Sequence, residues 1–222
     1  MIKMLINECK YEDILENNNS IMIIIENKKY FYNFIIDLQL SYSEINSIKL
    51  FDEKEKELKN TDYIEVIPSI FTMDINNKKN ISALLKIIKT SNKELIQNNL
   101  IDINNKLEQF SNHLKLETDI TFESNVDFSD DELLKVLNIY IDCDKQSLLE
   151  IIYQYIKATY ELRNIKIFVF VSLLDYLDDD ELKLLLKNCK LLGVILINIE
   201  IKDNNFVGFH KKFILDKSLS LI

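Results

Sequence analysis

The chain has 222 residues, of which 47% are hydrophobic and 28% are charged. It is therefore long enough to bury a core and too apolar to be a disordered chain. The three cysteines stand far apart and form no CxxC pair, which argues against a disulfide framework and a thiolate metal site. The apolar runs are much shorter than the roughly 20 residues of a membrane span, and no signal peptide is evident. We expect a cytoplasmic protein without a membrane partner.

The N-terminal third of the sequence alternates short apolar runs with one amphipathic segment. Between Tyr30 and Leu38, aromatic and aliphatic residues recur at helical spacing and predict a helix over residues 28–40. The apolar runs predict strands at residues 4–6, 21–26, 47–51 and 62–67.

The middle of the sequence has the periodicity of helices. Apolar residues at helical spacing predict one helix around residues 81–88 and another over residues 94–116. A third helix is predicted to begin at Ser129, because a hydroxyl cap is followed by three acids in the first turn.

The last third returns to an alternation of strands and helices. Helices are predicted at residues 145–162 and 178–191, and strands at residues 165–171, 194–199 and 213–215. Because the first two of these strands are apolar on both faces, a parallel sheet covered by helices is expected. We therefore predict an α/β protein, with a mostly parallel-sheet head domain from residues 1–66 and 142–222 and an inserted helical leg domain from residues 67–141.

No catalytic centre can be named from the sequence. The chain has only two glycines, Gly193 and Gly208, and neither belongs to a phosphate-binding loop. His113 and His210 have no carboxylate partner at motif spacing, and we interpret them as surface or structural residues. Ser172 follows an apolar strand at a place where α/β sheets often bind ligands, but a role in the turn is the better interpretation. We expect a protein that is not an enzyme.

The net charge of −9 speaks against binding to polyanions, but the charges are sorted along the chain. From residue 76 to residue 93 there are five lysines and no acid. If this segment is helical, the spacing places Lys86, Lys89 and Lys93 on one helix face. Lys79 lies roughly in line with them if the helix extends that far. This stripe is either a solvated helix face or a surface for DNA phosphates. The candidate DNA-binding residues are Lys78, Lys79, Lys86, Lys89, Lys93 and, in a segment diluted by glutamates, Lys54, Lys56 and Lys59.

A cluster of acids follows the lysines in the sequence. It is explained either by capping of a helix N-terminus or by a calcium site, since calcium takes six to eight oxygen ligands in irregular loops. The spacing is not that of an EF-hand. The candidate metal ligands are Glu123, Asp127, Asp130, Asp131 and Glu132.

Two segments of the chain resemble a known family. Residues 48–54 (IKLFDEK) with 57–59 (ELK), and residues 167–171 (IFVFV) with Tyr176-Leu177 and Asp180-Glu181-Leu182, are similar to segments of the short form of the Csn-two family, the adaptation protein of type II-A CRISPR systems. The resemblance implies a head like that of P-loop ATPases without working nucleotide machinery, a helical leg, and a ring-shaped homotetramer stabilised by calcium near the junction of head and leg. It further implies non-catalytic binding of double-stranded DNA ends during spacer acquisition in antiviral defence, together with the CRISPR integrase complex and the RNA-guided effector nuclease.

Two other functions stay open at this stage. One is a protein-binding scaffold with a degenerate ATPase-like fold and no DNA binding of its own. The other is a nucleotide enzyme or metal-dependent nuclease, which the shortage of glycines and of paired histidines disfavours.

Overall fold

A computed structural model describes residues 3–6, 9–11, 20–40, 48–125, 127–143 and 147–220. The chain forms two compact units, one from Met1–Ile75 with Cys143–Ile222 and one from Asn76–Asp142. Within the described residues, no helix is long and apolar enough to cross a membrane.

The elements of the first unit are β1 (Lys3–Ile6), β2 (Cys9–Tyr11), β3 (Ile21–Ile25), α1 (Lys28–Leu40), β4 (Ile48–Phe51), β5 (Glu57–Leu58), β6 (Ile64–Ile67), α5 (Leu148–Arg163), β7 (Ile167–Val171), α6 (Asp179–Leu192), β8 (Ile195–Glu200) and β9 (Lys211–Leu215). Those of the second unit are α2 (Lys78–Ser91), α3 (Lys93–Glu117) and α4 (Asp130–Val136).

The centre of the first unit is a five-stranded sheet in the order β6-β7-β8-β3-β9, in which every neighbouring pair is parallel. Its inner strands are buried on both faces, as their continuous apolar sequences predict. In β3, Ile21 and Ile23 point into one core and Met22 and Ile24 into the other, because successive side chains of a strand alternate between faces. The predicted α/β class is confirmed.

A second, antiparallel sheet in the order β2-β1-β4-β5 belongs to the same unit. Its buried residues Met4, Ile48 and Leu50 share a core with Phe34 and Leu38 of α1. This core covers one face of the parallel sheet, and buried residues of α5 and α6 cover the other. The sequence predicted strands at residues 4–6 and 47–51, but not that they form a sheet of their own.

The second unit is helical, as predicted, but it begins later in the chain than expected. Residues 67–75 were predicted to belong to the leg domain, whereas the structure assigns them to the first unit. The reason is packing, because Ile67 and Ile70 are buried in the core beneath the parallel sheet and Met73 and Ile75 pack against it. The side chain of Asn76 joins the first and last parts of the second unit. Its Nδ2 donates to the carbonyl of Ile141 at 3.1 Å, and its Oδ1 accepts from the N–H of Ile141 at 2.7 Å.

Candidate nucleic-acid interface

All the charged residues of helix α2 are lysines. It contains four lysines and no acid, and Asn77 caps its N-terminus by accepting hydrogen bonds from the N–H groups of Lys79 and Asn80, each at 3.0 Å. Lys78 and Lys79 occupy the first turn, where the helix dipole favours acids and disfavours cations. Helix stability therefore does not account for these two lysines.

The lysines on one side of α2 line a groove with α4. Lys78, Lys86 and Lys89 are separated by eight and three residues, which places them on one helix face. The groove has a volume of about 530 Å³ and its apolar floor includes Leu85 and Leu134. We call it the α2/α4 groove. The described residues that line it are Lys78, Ile81, Ser82, Leu85, Lys86, Lys89, Asp131, Leu134 and Lys135. With four lysines and one aspartate, the groove is strongly cationic although the chain is acidic.

Lys89 is bound by the acids of the first turn of α4. Its Nζ lies 2.8 Å from Oδ1 of Asp131 and 3.7 Å from Oδ2 of Asp130. The hydrogen bond to Asp131 raises the pKa of Lys89, and the same bond lowers the pKa of Asp131. Lys78 and Lys86 form no ion pair within the described residues. The groove therefore contains lysines that are free to bind an anion and one that is held by the protein's own acids.

The structure corrects one member of the predicted lysine stripe, because Lys93 does not belong to helix α2. Helix α2 ends at Ser91, and Asn92 has non-helical dihedral angles (φ −124°, ψ 28°), so that Lys93 begins the separate helix α3. Lys93 and Lys79 are both exposed but do not line the α2/α4 groove. Lys135, in the last turn of α4, does line it. The sequence pattern did not predict Lys135 as part of the site, because its position depends on how α4 packs against α2.

The lysines at residues 54, 56 and 59 lie in the first unit and do not line the groove. Lys54 and Lys56 are exposed in the turn between β4 and β5, and Lys59 precedes a 3-10 turn. Asp52 organises this turn by accepting hydrogen bonds from the N–H groups of Lys54 at 2.8 Å and Lys56 at 2.9 Å. These bonds, led by the one from Lys56, hold the pKa of Asp52 below its ordinary value.

Three of the five acids predicted to bind calcium, Asp130, Asp131 and Glu132, have other partners. Glu132 forms a capping box with Ser129, whose backbone and hydroxyl groups donate to its carboxylate at 2.9 and 2.7 Å and lower its pKa. Asp130 and Asp131 bind Lys89. Although carboxylates are suitable donors for calcium, the residues that the structure describes contain no group of three or more His, Cys, Asp or Glu side chains arranged for a metal ion. In this arrangement the five predicted ligands, Glu123, Asp127, Asp130, Asp131 and Glu132, do not assemble into one calcium site.

Residues 41–219 of the chain match a family model described as "CRISPR-associated protein (Cas_Csn2)". The chain belongs to the Cas_Csn2 family. The resemblance predicted from the two sequence segments is thereby confirmed, and the molecule is a CRISPR-associated protein.

Two curated relatives cover most of this Csn2-family chain. The CRISPR-associated protein Csn2 of Enterococcus faecalis is 24% identical over 226 residues, which cover 98% of each chain. The Csn2 protein of Streptococcus agalactiae is 26% identical over 206 residues, covering 87% of this chain and 83% of the relative. Among solved structures, that of Stu0660 of Streptococcus thermophilus superimposes with a TM-score of 0.54 at 14% identity, covering 89% of this chain and 68% of the other. This similarity shows that the fold is shared.

The two segments that carried the resemblance have structural roles. Residues 48–59 form the β4–β5 hairpin turned by Asp52. Residues 167–182 form β7 and the start of α6, where Asp178 and Glu181 complete a capping box. Their side chains shape the first unit and do not line the cationic groove of the second.

Two connections at the carboxyl edge of the parallel sheet, where α/β proteins often bind phosphates, differ from a phosphate-binding loop. Only Glu26 and Asn27 separate β3 from α1, whereas a P-loop places about eight residues between a strand and its helix. Beyond β7, the N–H groups of Leu173 and Leu174 donate to Asn198 at 3.2 Å and Glu200 at 3.1 Å. These two backbone donors are therefore not available to an anion.

Proposed function

We propose that this Csn2-family protein binds double-stranded DNA ends without cutting them, as part of spacer acquisition in a CRISPR system. The observation that carries the proposal is the α2/α4 groove, in which Lys78, Lys86 and Lys135 have no ion pair within the described residues. Lysines bind phosphates as point charges and release the counterions that surround DNA, which provides affinity with little sequence preference.

The groove reconciles a cationic site with an anionic protein. Helix α2 concentrates four lysines in 14 residues, while the chain as a whole carries a net charge of −9. A duplex is attracted to such a local cationic patch although the net charge of the protein is negative. The lysines of α2 therefore allow DNA contact that the net charge alone would not predict.

The proposal includes assembly into a homotetrameric ring that threads onto DNA from a free end. Helix α3 supports a protein interface, because it exposes Leu95, Ile101, Phe110 and Leu116, each with 59% to 82% of its surface accessible. Large exposed apolar side chains gain free energy when a second protein covers them. The CRISPR integrase complex and the effector nuclease belong to the same proposal as partners of the DNA-bound ring.

The same exposed residues favour a second candidate function, a protein-binding scaffold without DNA binding. The two functions differ in what they require of the lysines. A scaffold gains nothing from Lys78 in the first turn of α2, where it opposes the helix dipole, and we therefore place DNA binding first.

Calcium binding stays a prediction, and it shares Asp131 with the lining of the groove. For Asp130 and Asp131 to bind the ion, they would have to leave Lys89, and Glu132 would have to leave Ser129. Thermal melting with and without a chelator, combined with metal analysis of the purified protein, tests it. A lower melting temperature in the chelator together with stoichiometric calcium supports the site, and an unchanged melting temperature with no metal refutes it.

The experiment that tests the proposed function compares two forms of the same DNA. A linear duplex and its covalently closed circle are titrated with the protein, and the oligomeric state is measured by light scattering. Threading predicts binding to the linear form, weak binding to the circle and a steep loss of affinity with salt. Equal affinity for both forms refutes threading, and no affinity for either refutes DNA binding and leaves the scaffold.

A further inference from the structure

The first unit contains a second cationic cavity, at the amino edge of the parallel sheet. Ser20, Val194 and His210 immediately precede β3, β8 and β9, and they line one wall of a cleft whose volume is about 630 Å³. Helix α6 lines the other wall. The cleft lies at the edge of the sheet opposite to the carboxyl edge, and its size is in the range of small-molecule sites.

The wall formed by α6 is basic. Lys183, Lys187 and Lys190 follow one another at intervals of four and three residues, so that they share one helix face, and all three line the cleft. His210 adds a fourth basic side chain, and no acid is among the described lining residues. Lys183 pairs with Asp180 at 3.6 Å, whereas Lys187 and Lys190 form no ion pair in the described part of the chain.

Helix stability accounts for only part of this arrangement. Lys190 lies in the last turn of α6, where a cation interacts favourably with the helix dipole, and Lys183 is paired with an acid of the first turn. Lys187 has neither role. It faces the same cavity as His210, which comes from a different element. Convergence of basic groups from separate elements on one cavity is typical of an anion site.

The floor of the cleft differs in chemistry from its rim. Leu186, Val194 and Leu196 are buried apolar residues of the floor. Cys189 lies beside them, and burial raises the pKa of its thiol to about 12, so that it stays a thiol and does not act as a nucleophile. The hydroxyl of Ser20 accepts a hydrogen bond from the N–H of His210 at 3.2 Å, which leaves its own hydrogen available to a ligand.

We propose that this cleft binds a nucleotide, with the phosphate groups on Lys187 and Lys190 and the base or sugar against the apolar floor. The nucleotide is either free or the terminal one of a DNA strand, since both present the same chemistry. The proposal does not depend on the α2/α4 groove, because all the residues involved belong to the first unit.

The test measures binding of two probes, ATP and a short linear duplex, to the full-length chain. In the test variant, Lys187→Gln and Lys190→Gln remove the two unpaired charges. In the matched control, Lys157→Gln and Lys217→Gln remove two exposed charges of the same unit that do not line the cleft. Because all four side chains are exposed, the melting temperatures of both variants are expected to stay close to that of the wild type.

If the ligand is a free nucleotide, the affinities of the wild type and the control for ATP are expected to agree within about twofold. The affinity of the test variant for ATP is then expected to be lower by about tenfold or more. A terminal nucleotide as ligand predicts this loss for the duplex and not for ATP. The proposal is overturned if neither probe distinguishes the test variant from the control. Substitutions in the α2/α4 groove, assayed with the same duplex, report on the proposed function separately.

Discussion

Removing the two acids that bind Lys89 is expected to strengthen DNA binding. Asp130→Asn and Asp131→Asn keep the size of both side chains but abolish the attraction that holds the Nζ of Lys89 at 2.8 Å from Asp131 and 3.7 Å from Asp130. The capping box of Ser129 and Glu132 does not involve either residue and is retained. The variant therefore releases one lysine into the α2/α4 groove and also removes the negative charge of Asp131 from its lining.

The size of the effect follows from the number of lysines that can contact phosphates. Each contact contributes about −0.9 to the slope of log affinity against log salt concentration. With Lys89 held by the acids, the three remaining lysines give a slope of about −2.7 for each groove on the DNA, and with Lys89 released the slope is about −3.6. Between about 50 and 200 mM salt, the affinity then falls by about 150-fold in the variant and by about 40-fold in the wild type.

Fluorescence anisotropy with a labelled linear duplex over this range of salt measures both the affinity and its slope. The control is Asp102→Asn with Glu108→Gln, which makes the same change of net charge on exposed positions of α3 outside the groove. If the groove variant binds no more tightly than this control at low salt and has the same slope, then Lys89 does not compete for phosphate and the argument is wrong.

Three further substitutions test how the two units are stabilised. Arg163→Met leaves the buried carboxylate of Glu65 without the partner that donates to it at 2.9 Å, and urea unfolding should show a loss of about 3 kcal/mol; unchanged stability refutes a structural role for the pair. Burial raises the pKa of Glu200, so its carboxylate costs stability as the pH rises through that pKa. Glu200→Gln should therefore raise the melting temperature at about pH 8 and have little effect below about pH 4.3, and a gain independent of pH contradicts this account. Asn76→Ala removes both bonds to the backbone of Ile141 and should increase hydrogen exchange in α2 to α4 by about tenfold or more, whereas unchanged exchange means that these bonds do not close the unit.

The sequence predicted the elements whose signals are local. Continuous apolar runs located β3, β7 and β8, and the Ser129 cap located the start of α4, because a strand buried on both faces and a helix N-terminus each leave a pattern within a few residues. The separation of β1 and β4 into their own sheet has no such pattern, since it depends on which strands pair.

The candidate site also depends on contacts between residues that are distant in sequence, which leave no local pattern. The lysines were predicted as a DNA-binding stripe and the acids as caps or a calcium site, but Lys89 and Asp131, 42 residues apart in sequence, bind each other in space. No glycine or proline marks the end of α2 at Ser91, and the predicted stripe therefore continued to Lys93. Lys135 stands alone among apolar neighbours in the sequence and becomes part of the groove only through the packing of α4.

The most direct test of the central claim removes the unpaired lysines of the groove. Lys78→Gln, Lys86→Gln and Lys135→Gln are combined and compared with Lys93→Gln, Lys106→Gln and Lys115→Gln, which remove three exposed charges of the same unit outside the groove. We predict that the groove variant loses most of its affinity for linear duplex and that its salt slope falls by about 2.7, while the control keeps both. Equal affinity and equal slope in the two variants would contradict the assignment of DNA binding to this groove.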